Sequence, residues 1–290
     1  MKLSIQLFSS ILLFMICINN IHAQKKDTAI YVNQHFKKSW KNGPLISGHR
    51  GGFDSNLPEN SLARFNMIAN AFKKSAVMLE LDIRQSADGD LFIMHDETID
   101  RTTNGVGAIK QLTSTYLESL YLKAQKGDPT QERIPTFDGV LKWLSAHKNV
   151  YLMVDVKDDL WQKTVQKIKK KKLEDRCLIL TFSPINTQKV YQLSSSITIS
   201  TLISNEEDWE RIKALNIPFS NLVAYINAKT PVSLIEKLKK NGIVLTSDIS
   251  ENVQKHPDAF DKGYYTEFLK TKQVDILITD YPFAVKELLK

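Results

Sequence analysis

Cysteine is scarce in this chain: there are two in 290 residues, Cys17 and Cys177. Cys17 lies within an N-terminal apolar run, so removal of that run leaves Cys177 alone and no intramolecular disulfide can form. That excludes a disulfide scaffold and a thiolate-built metal site. Cys177 opens the stretch Leu178-Ile179-Leu180 and reads as a small buried hydrophobe. Also missing are the glycine patterns that cradle phosphates, GxGxxG and GxxxxGK followed by Ser or Thr, which argues against a nucleotide cofactor. The N-terminal apolar run, 11–18, falls short of the roughly 20 residues that span a bilayer.

That run follows Lys2 and precedes Ile21-His22-Ala23, whose small last residue suits cleavage. Residues 1–23 therefore read as a removed export signal, with the mature chain periplasmic or extracellular. Phe14-Met15-Ile16 ahead of Cys17 lacks the small residues of a lipoprotein signal. The formal net charge of +7 falls to +6 once Lys2 leaves, which favours anionic substrates or surfaces and keeps peripheral contact with anionic lipid open. The basic run at 169–172 reads as the solvated end of a helix, and no nucleic-acid partner is expected.

Residues 24–42 are polar and basic, a lead-in to the fold. Beyond them, short apolar runs alternate with helix-like stretches, the pattern of βα units. Strands are expected at 45–48, 77–83, 150–156, 177–182, 197–203, 222–226, 243–247 and 274–279, with helical patterns at 61–74, 159–172, 231–240 and 282–289. Eight such repeats predict an α/β fold, one closed (βα)8 TIM-type barrel over 24–290, with its active site at the carboxyl ends of the strands. One run breaks the repeat: 91–94 begins too soon after Ile83 for a parallel crossover. Asp88-Gly89 is expected to turn it back as an antiparallel hairpin, which places Asp82 opposite His95. The segment 97–135 is expected to be an insertion at the catalytic face that covers substrate.

The chemistry-bearing residues crowd into Gly48-His49-Arg50-Gly51, Pro58-Glu59-Asn60, Glu80-Leu81-Asp82 and His95-Asp96. Strand alternation points Glu80 and Asp82 to one side. Two histidines beside these acids make a metal-assisted acid/base site the leading reading, although either histidine alone is as readily structural. Carboxylates without thiolates suit a hard divalent cation, Mg2+ or Ca2+. Gly48, Gly51 and Gly52 either admit a ligand close to the backbone or simply make turns. Asn60 would serve as the N-cap of the helix that follows.

The ordered series of those motifs resembles the glycerophosphodiester phosphodiesterase family over 45–282. It continues with Asp88-Gly89, Asp100-Arg101-Thr102-Thr103-Asn104-Gly105, Ile134-Pro135-Thr136-Phe137 and Ile278-Thr279-Asp280-Tyr281-Pro282. The resemblance implies metal-dependent hydrolysis of a small phosphodiester to glycerol 3-phosphate and an alcohol. It implies His49 and His95 as general acid and base in either order, and Glu80, Asp82 and Asp155 as ligands of the cation. Glu59 would lie beside the metal, ligating it or orienting His49 or Arg50. Arg50 and Lys157 are the cations expected around the phosphate. Asp96 is a histidine partner or a structural cap.

Two departures stand out. The family's Glu-x-Lys strand is Asp155-Val156-Lys157 here, with a helix-capping role as the alternative for Asp155. A Trp-Thr-Val-Asn-like segment is replaced by Val244-Leu245-Thr246-Ser247-Asp248, which removes an apolar wall for a glycerol backbone. Asp280 reads as structural, pinning its loop. A phospholipase D-like or phosphoinositide-type phosphodiesterase, and a non-catalytic barrel that binds phosphoryl ligands, are the alternative functions. Water and a substrate hydroxyl both stay open as the nucleophile.

Overall fold

The computed structural model describes residues 43–124, 126–250 and 260–290. The expected export signal at 1–23 and lead-in at 24–42 lie outside the described residues. In chain order the strands are β1 (Leu45–Gly48), β2 (Val77–Gln85), β3 (Leu91–Ile93), β4 (Tyr121–Lys123), β5 (Pro129–Arg133), β6 (Val150–Val156), β7 (Cys177–Thr181), β8 (Thr198–Leu202), β9 (Leu222–Ile226), β10 (Val244–Asp248) and β11 (Ile276–Thr279). β1, β2 and β6 through β11 run parallel, and β1 pairs with both β2 and β11, which closes an eight-stranded barrel. The helices are α1 (Leu62–Ala71), α2 (Ser114–Ser119), α3 (Phe137–Ala146), α4 (Trp161–Lys170), α5 (Pro184–Leu193), α6 (Glu206–Lys213), α7 (Val232–Lys240), α8 (Lys262–Lys272) and α9 (Pro282–Leu288). All but α2 follow the strands around the outside. The TIM-type barrel expected from the repeat is what forms.

Strand alternation sorts the core into two layers. Leu79, Leu81 and Ile83 on β2, and Leu152, Val154 and Val156 on β6, face outward and pack with helix residues such as Phe65, Ile68, Val165 and Ile168. Met78, Tyr151, Met153, Leu178, Val223, Val244 and Ile276 face inward and fill the barrel as a plug. Continuing each inward series towards the carboxyl end replaces apolar side chains by Glu80 and Asp82, Asp155, Asp248 and Asp280. The period of two thus places a dry floor beneath a polar mouth.

The hairpin forms, but its register differs by one residue. Gln85 pairs with Leu91 and Ile83 with Ile93, so Met94 stands opposite Asp82 and donates its N–H to the Asp82 carbonyl at 3.0 Å. The turn occupies residues 86–90 and centres on Asp88, which moves His95 one step beyond the expected pairing. Its backbone is held there by Arg84, whose Nε donates to the His95 carbonyl at 2.8 Å.

The insertion has a core of its own, built from Phe92, Met94, Ile99, Ile109, Leu117, Leu120, Leu122 and Ile134. Asp88 fastens it to the hairpin by accepting from Ser114 N at 2.9 Å and Ser114 Oγ at 2.6 Å. The N-cap of α1 is Ser61, which accepts from Arg64 N; Asn60, expected in that place, has φ 55 and is used elsewhere. Cys177 is buried, as expected, and burial pushes its thiol pKa up.

Candidate active site

β2 and β6 pair in register with Asp82 beside Asp155, and Glu80 precedes Asp82 on the same face. One oxygen from each of the three carboxylates lies within 4.8 Å of the others. Crowding of buried like charges disfavours their joint ionisation. Burial first, and then the Asp82 charge, push the Glu80 carboxyl well above its usual range. Burial and Asp82 also raise Asp155. Asp82 is depressed despite its burial, because Lys157 and Arg50 hold it ionised. Three oxygen donors around surplus buried negative charge fit a hard divalent cation. Asp155, read as either ligand or cap, belongs to this cluster, and its shorter side chain still reaches it.

Lys157 Nζ lies 3.0 Å from Asp82 Oδ1 and 2.6 Å from Asp155 Oδ2, between the two carboxylates. Arg50 Nη1 reaches Glu59 Oε1 at 3.1 Å, and its Nε is 3.6 Å from Asp82 Oδ2. Its backbone N–H donates to Glu80 Oε2 at 2.9 Å, which requires the left-handed turn at Arg50, φ 49. Gly51 and Gly52 continue that turn at φ 85 and 79. A Cβ on Gly52 would stand 2.7 Å from Pro282, so helix packing demands this glycine. Glu59 is outside the carboxylate cluster; it orients Arg50. Asn60 Nδ2 donates to Asp82 Oδ2 at 2.9 Å, adding a third constraint on that carboxylate.

Each histidine is held through Nδ1. His49 pairs with Asp280 Oδ1 at 2.8 Å, and His95 with Asp96 Oδ1 at 2.8 Å. Fixing Nδ1 in this way leaves Nε2 for the cavity. Burial favours a neutral His49 ring, but the Asp280 hydrogen bond and the charges of Glu80, Asp248 and Asp280 outweigh it and raise its pKa to about 10. Asp280 does pin its loop, since its carbonyl accepts from Phe53 N at 2.5 Å. Its side chain is nevertheless part of the site, which corrects the purely structural reading. Asp96 is a histidine partner. Burial opposes its ionisation, but Arg101 and His95 hold its pKa at about 2.

Arg101 donates to Asp96 Oδ2 at 2.6 Å and to Glu59 Oε1 and Oε2 at 2.7 and 2.9 Å, joining the supports of His95 and Arg50. His49, Arg50, Glu80, Asp82, His95, Asp155 and Lys157 all line one cavity of about 500 Å3. Across it stand Leu180, Phe182 and Tyr225, the last two rings meeting edge to face at 5.7 Å.

A sequence model of the Glycerophosphoryl diester phosphodiesterase family matches residues 49–284. The chain belongs to this family. A glycerophosphodiester phosphodiesterase of Caldanaerobacter subterraneus subsp. tengcongensis is 29% identical over 255 residues, covering 85% of this chain and 98% of the relative. Another, from Bacillus subtilis, is 28% identical over 181 residues, 56% of this chain and 60% of the relative. The crystal structure of a glycerophosphoryl diester phosphodiesterase from Parabacteroides distasonis superimposes with a TM-score of 0.76 at 25% identity, covering 86% of this chain and 87% of that one.

In this phosphodiesterase, four site residues escaped the sequence reading: Asp280 as the His49 partner, Arg101, Asn60 and Asp248. All lie in or beside quoted motifs, so their presence was visible while their partners were not. The insertion meets the site through one residue. The cavity-lining residues come from the barrel strands, their following turns and the hairpin, whereas 97–135 acts on the site through Arg101.

Proposed function

We propose that this protein is an exported, metal-dependent glycerophosphodiester phosphodiesterase that releases glycerol 3-phosphate and an alcohol. Family membership makes it a phosphoric diester hydrolase acting on a small-molecule diester. The observation that carries the finer reading is the convergence of two carboxylate-held histidines and a carboxylate triad on one cavity.

Glu80, Asp82 and Asp155 would hold the cation, Mg2+ or Ca2+, which when bound neutralises charge on the phosphoryl group. Arg50 and Lys157 border both the triad and the cavity, and so face the phosphoryl oxygens of a seated diester. His49, kept protonated across neutral pH, gives its proton to the leaving alkoxide, and His95 takes the proton of the attacking water. Phe182 and Tyr225 supply the apolar wall that the missing Trp would have provided. Both histidines and the full triad favour catalysis over mere phosphoryl-ligand binding.

The deciding experiment is turnover of glycerophosphocholine by the purified protein with Mg2+, with Ca2+ and in excess chelator, followed by product identification. Cation-dependent release of glycerol 3-phosphate is expected, and Glu80→Gln/Asp82→Asn should abolish it. Equal turnover in chelator would remove the metal from the mechanism. A cyclic phosphate product would replace water by a substrate hydroxyl as nucleophile and favour the phospholipase D-like reading.

A further inference from the structure

The barrel end opposite the site is strongly cationic. Helix C-termini and the turns into the next strands all gather there, and exposed lysines stand on five of them: Lys74, Lys148, Lys171, Lys172, Lys240 and Lys270. Basic residues in a last helical turn complement the helix dipole, which accounts for one or two per helix. It does not account for their excess over the acids at the same end, such as Glu174 and Asp175. Among the described residues none of these six forms an ion pair, while Lys213 and Lys290 on the same end are matched by Glu210 and Glu287. The mouth end instead carries the exposed acids Glu97, Asp100, Asp128, Asp158 and Asp159, the last three pairing with Lys126, Arg84 and Lys189. The run at 169–172, which alone reads as a solvated helix end, is therefore one arc of a ring.

The geometry points to a docking face for an anionic lipid surface, with the catalytic mouth directed away from it; we propose this orientation for the protein. Two observations favour lipid over nucleic acid. The face presents lysines, point charges suited to a diffuse layer of headgroups, rather than arginine forks that bind phosphates bidentately. Arg176, partly buried on this face, is spent on the carbonyls of His147 and Val150. A soluble diester would reach the mouth unobstructed. The proposal is independent of the catalytic assignment.

The test is sedimentation of the mature protein with vesicles of phosphatidylcholine alone or containing phosphatidylglycerol. Binding is expected only with phosphatidylglycerol, and should be lost on raising salt from about 0.05 to about 0.5 M. Each lysine near such a surface strengthens binding about fivefold. Lys74→Gln/Lys171→Gln/Lys240→Gln/Lys270→Gln should therefore weaken it at least about tenfold, with turnover of a soluble diester and the melting temperature unchanged. Bound enzyme should turn over that diester as fast as free enzyme. Equal binding to phosphatidylcholine, or full binding by the quadruple variant, would overturn the proposal. Loss of turnover on binding would overturn the orientation, and tighter retention by duplex DNA at the same salt would make the face a nucleic-acid site.

Discussion

Asp280 comes 231 positions after His49 and yet decides what His49 can do. Its hydrogen bond is the largest influence raising the ring to about 10, working against burial. The sign follows directly: a raised histidine pKa contributes stability that is complete below 6.5 and lost as pH rises through about 10. Asp280→Asn should lower that pKa, so the alkaline limb of the kcat profile should move to lower pH. An unmoved limb would remove His49 from the role of acid. His49→Ala and His95→Ala should each lower kcat by roughly 10²-fold or more. The double variant should lose less than the product of the two, because both act on one transition state. A single variant with near-normal kcat would refute its assignment. The sequence disclosed both histidines and, beside His95, its partner Asp96; the partner of His49 required the closure of β1 on β11, which only the fold supplies.

At the scale of elements, the insertion illustrates what a sequence can and cannot disclose. Its existence was legible because a hairpin cannot be a parallel crossover, and the barrel strands and β3 appear within two residues of the expected bounds, whereas β4 and β5 inside it were not anticipated. Its function was not, because Arg101 joins Glu59 and Asp96 across three segments of chain. The one-residue error in hairpin register has a similar origin: the turn takes five residues, and no local signal counts them. Arg101→Met should leave Glu59, 8% exposed, with Arg50 alone, and cost roughly 1–2 kcal/mol. It should also let the Asp96 pKa rise from about 2 towards 3.8. A depressed carboxylate stabilises above its unfolded pKa and loses that contribution as pH falls through the folded value. The variant should therefore lack the Asp96 contribution already at neutral pH and show a flatter profile between pH 3.8 and about 2, the window in which the wild type loses it. Urea titrations across this window would show it; superimposable pH profiles would refute the link.

At the scale of the whole molecule, the barrel places its apolar plug and its charged mouth on the same strands. β6 carries Tyr151 and Met153 below Asp155, and β2 carries Met78 below Glu80 and Asp82. That layering was legible as alternation, and the Asp for Glu change at 155 was legible as a departure. What could not be read was the cost of convergence, which depends on burial. Glu80 is fully enclosed with two acids for neighbours, and its raised pKa means that the metal-free fold gains stability as pH falls from that raised value towards 4.5. Neutralising it should relieve the same cost. Glu80→Gln keeps an oxygen to accept the Arg50 N–H, so the metal-free variant should melt above the wild type by roughly 2–4 °C for each kcal/mol relieved. A divalent cation at a hundredfold its Kd should then stabilise the wild type by about 2.7 kcal/mol and the variant by much less. Calorimetry of both proteins with and without cation makes the comparison. If Glu80→Gln melts lower without metal, and the cation shifts both proteins alike, the triad is held together by its protein partners and the cation site lies elsewhere.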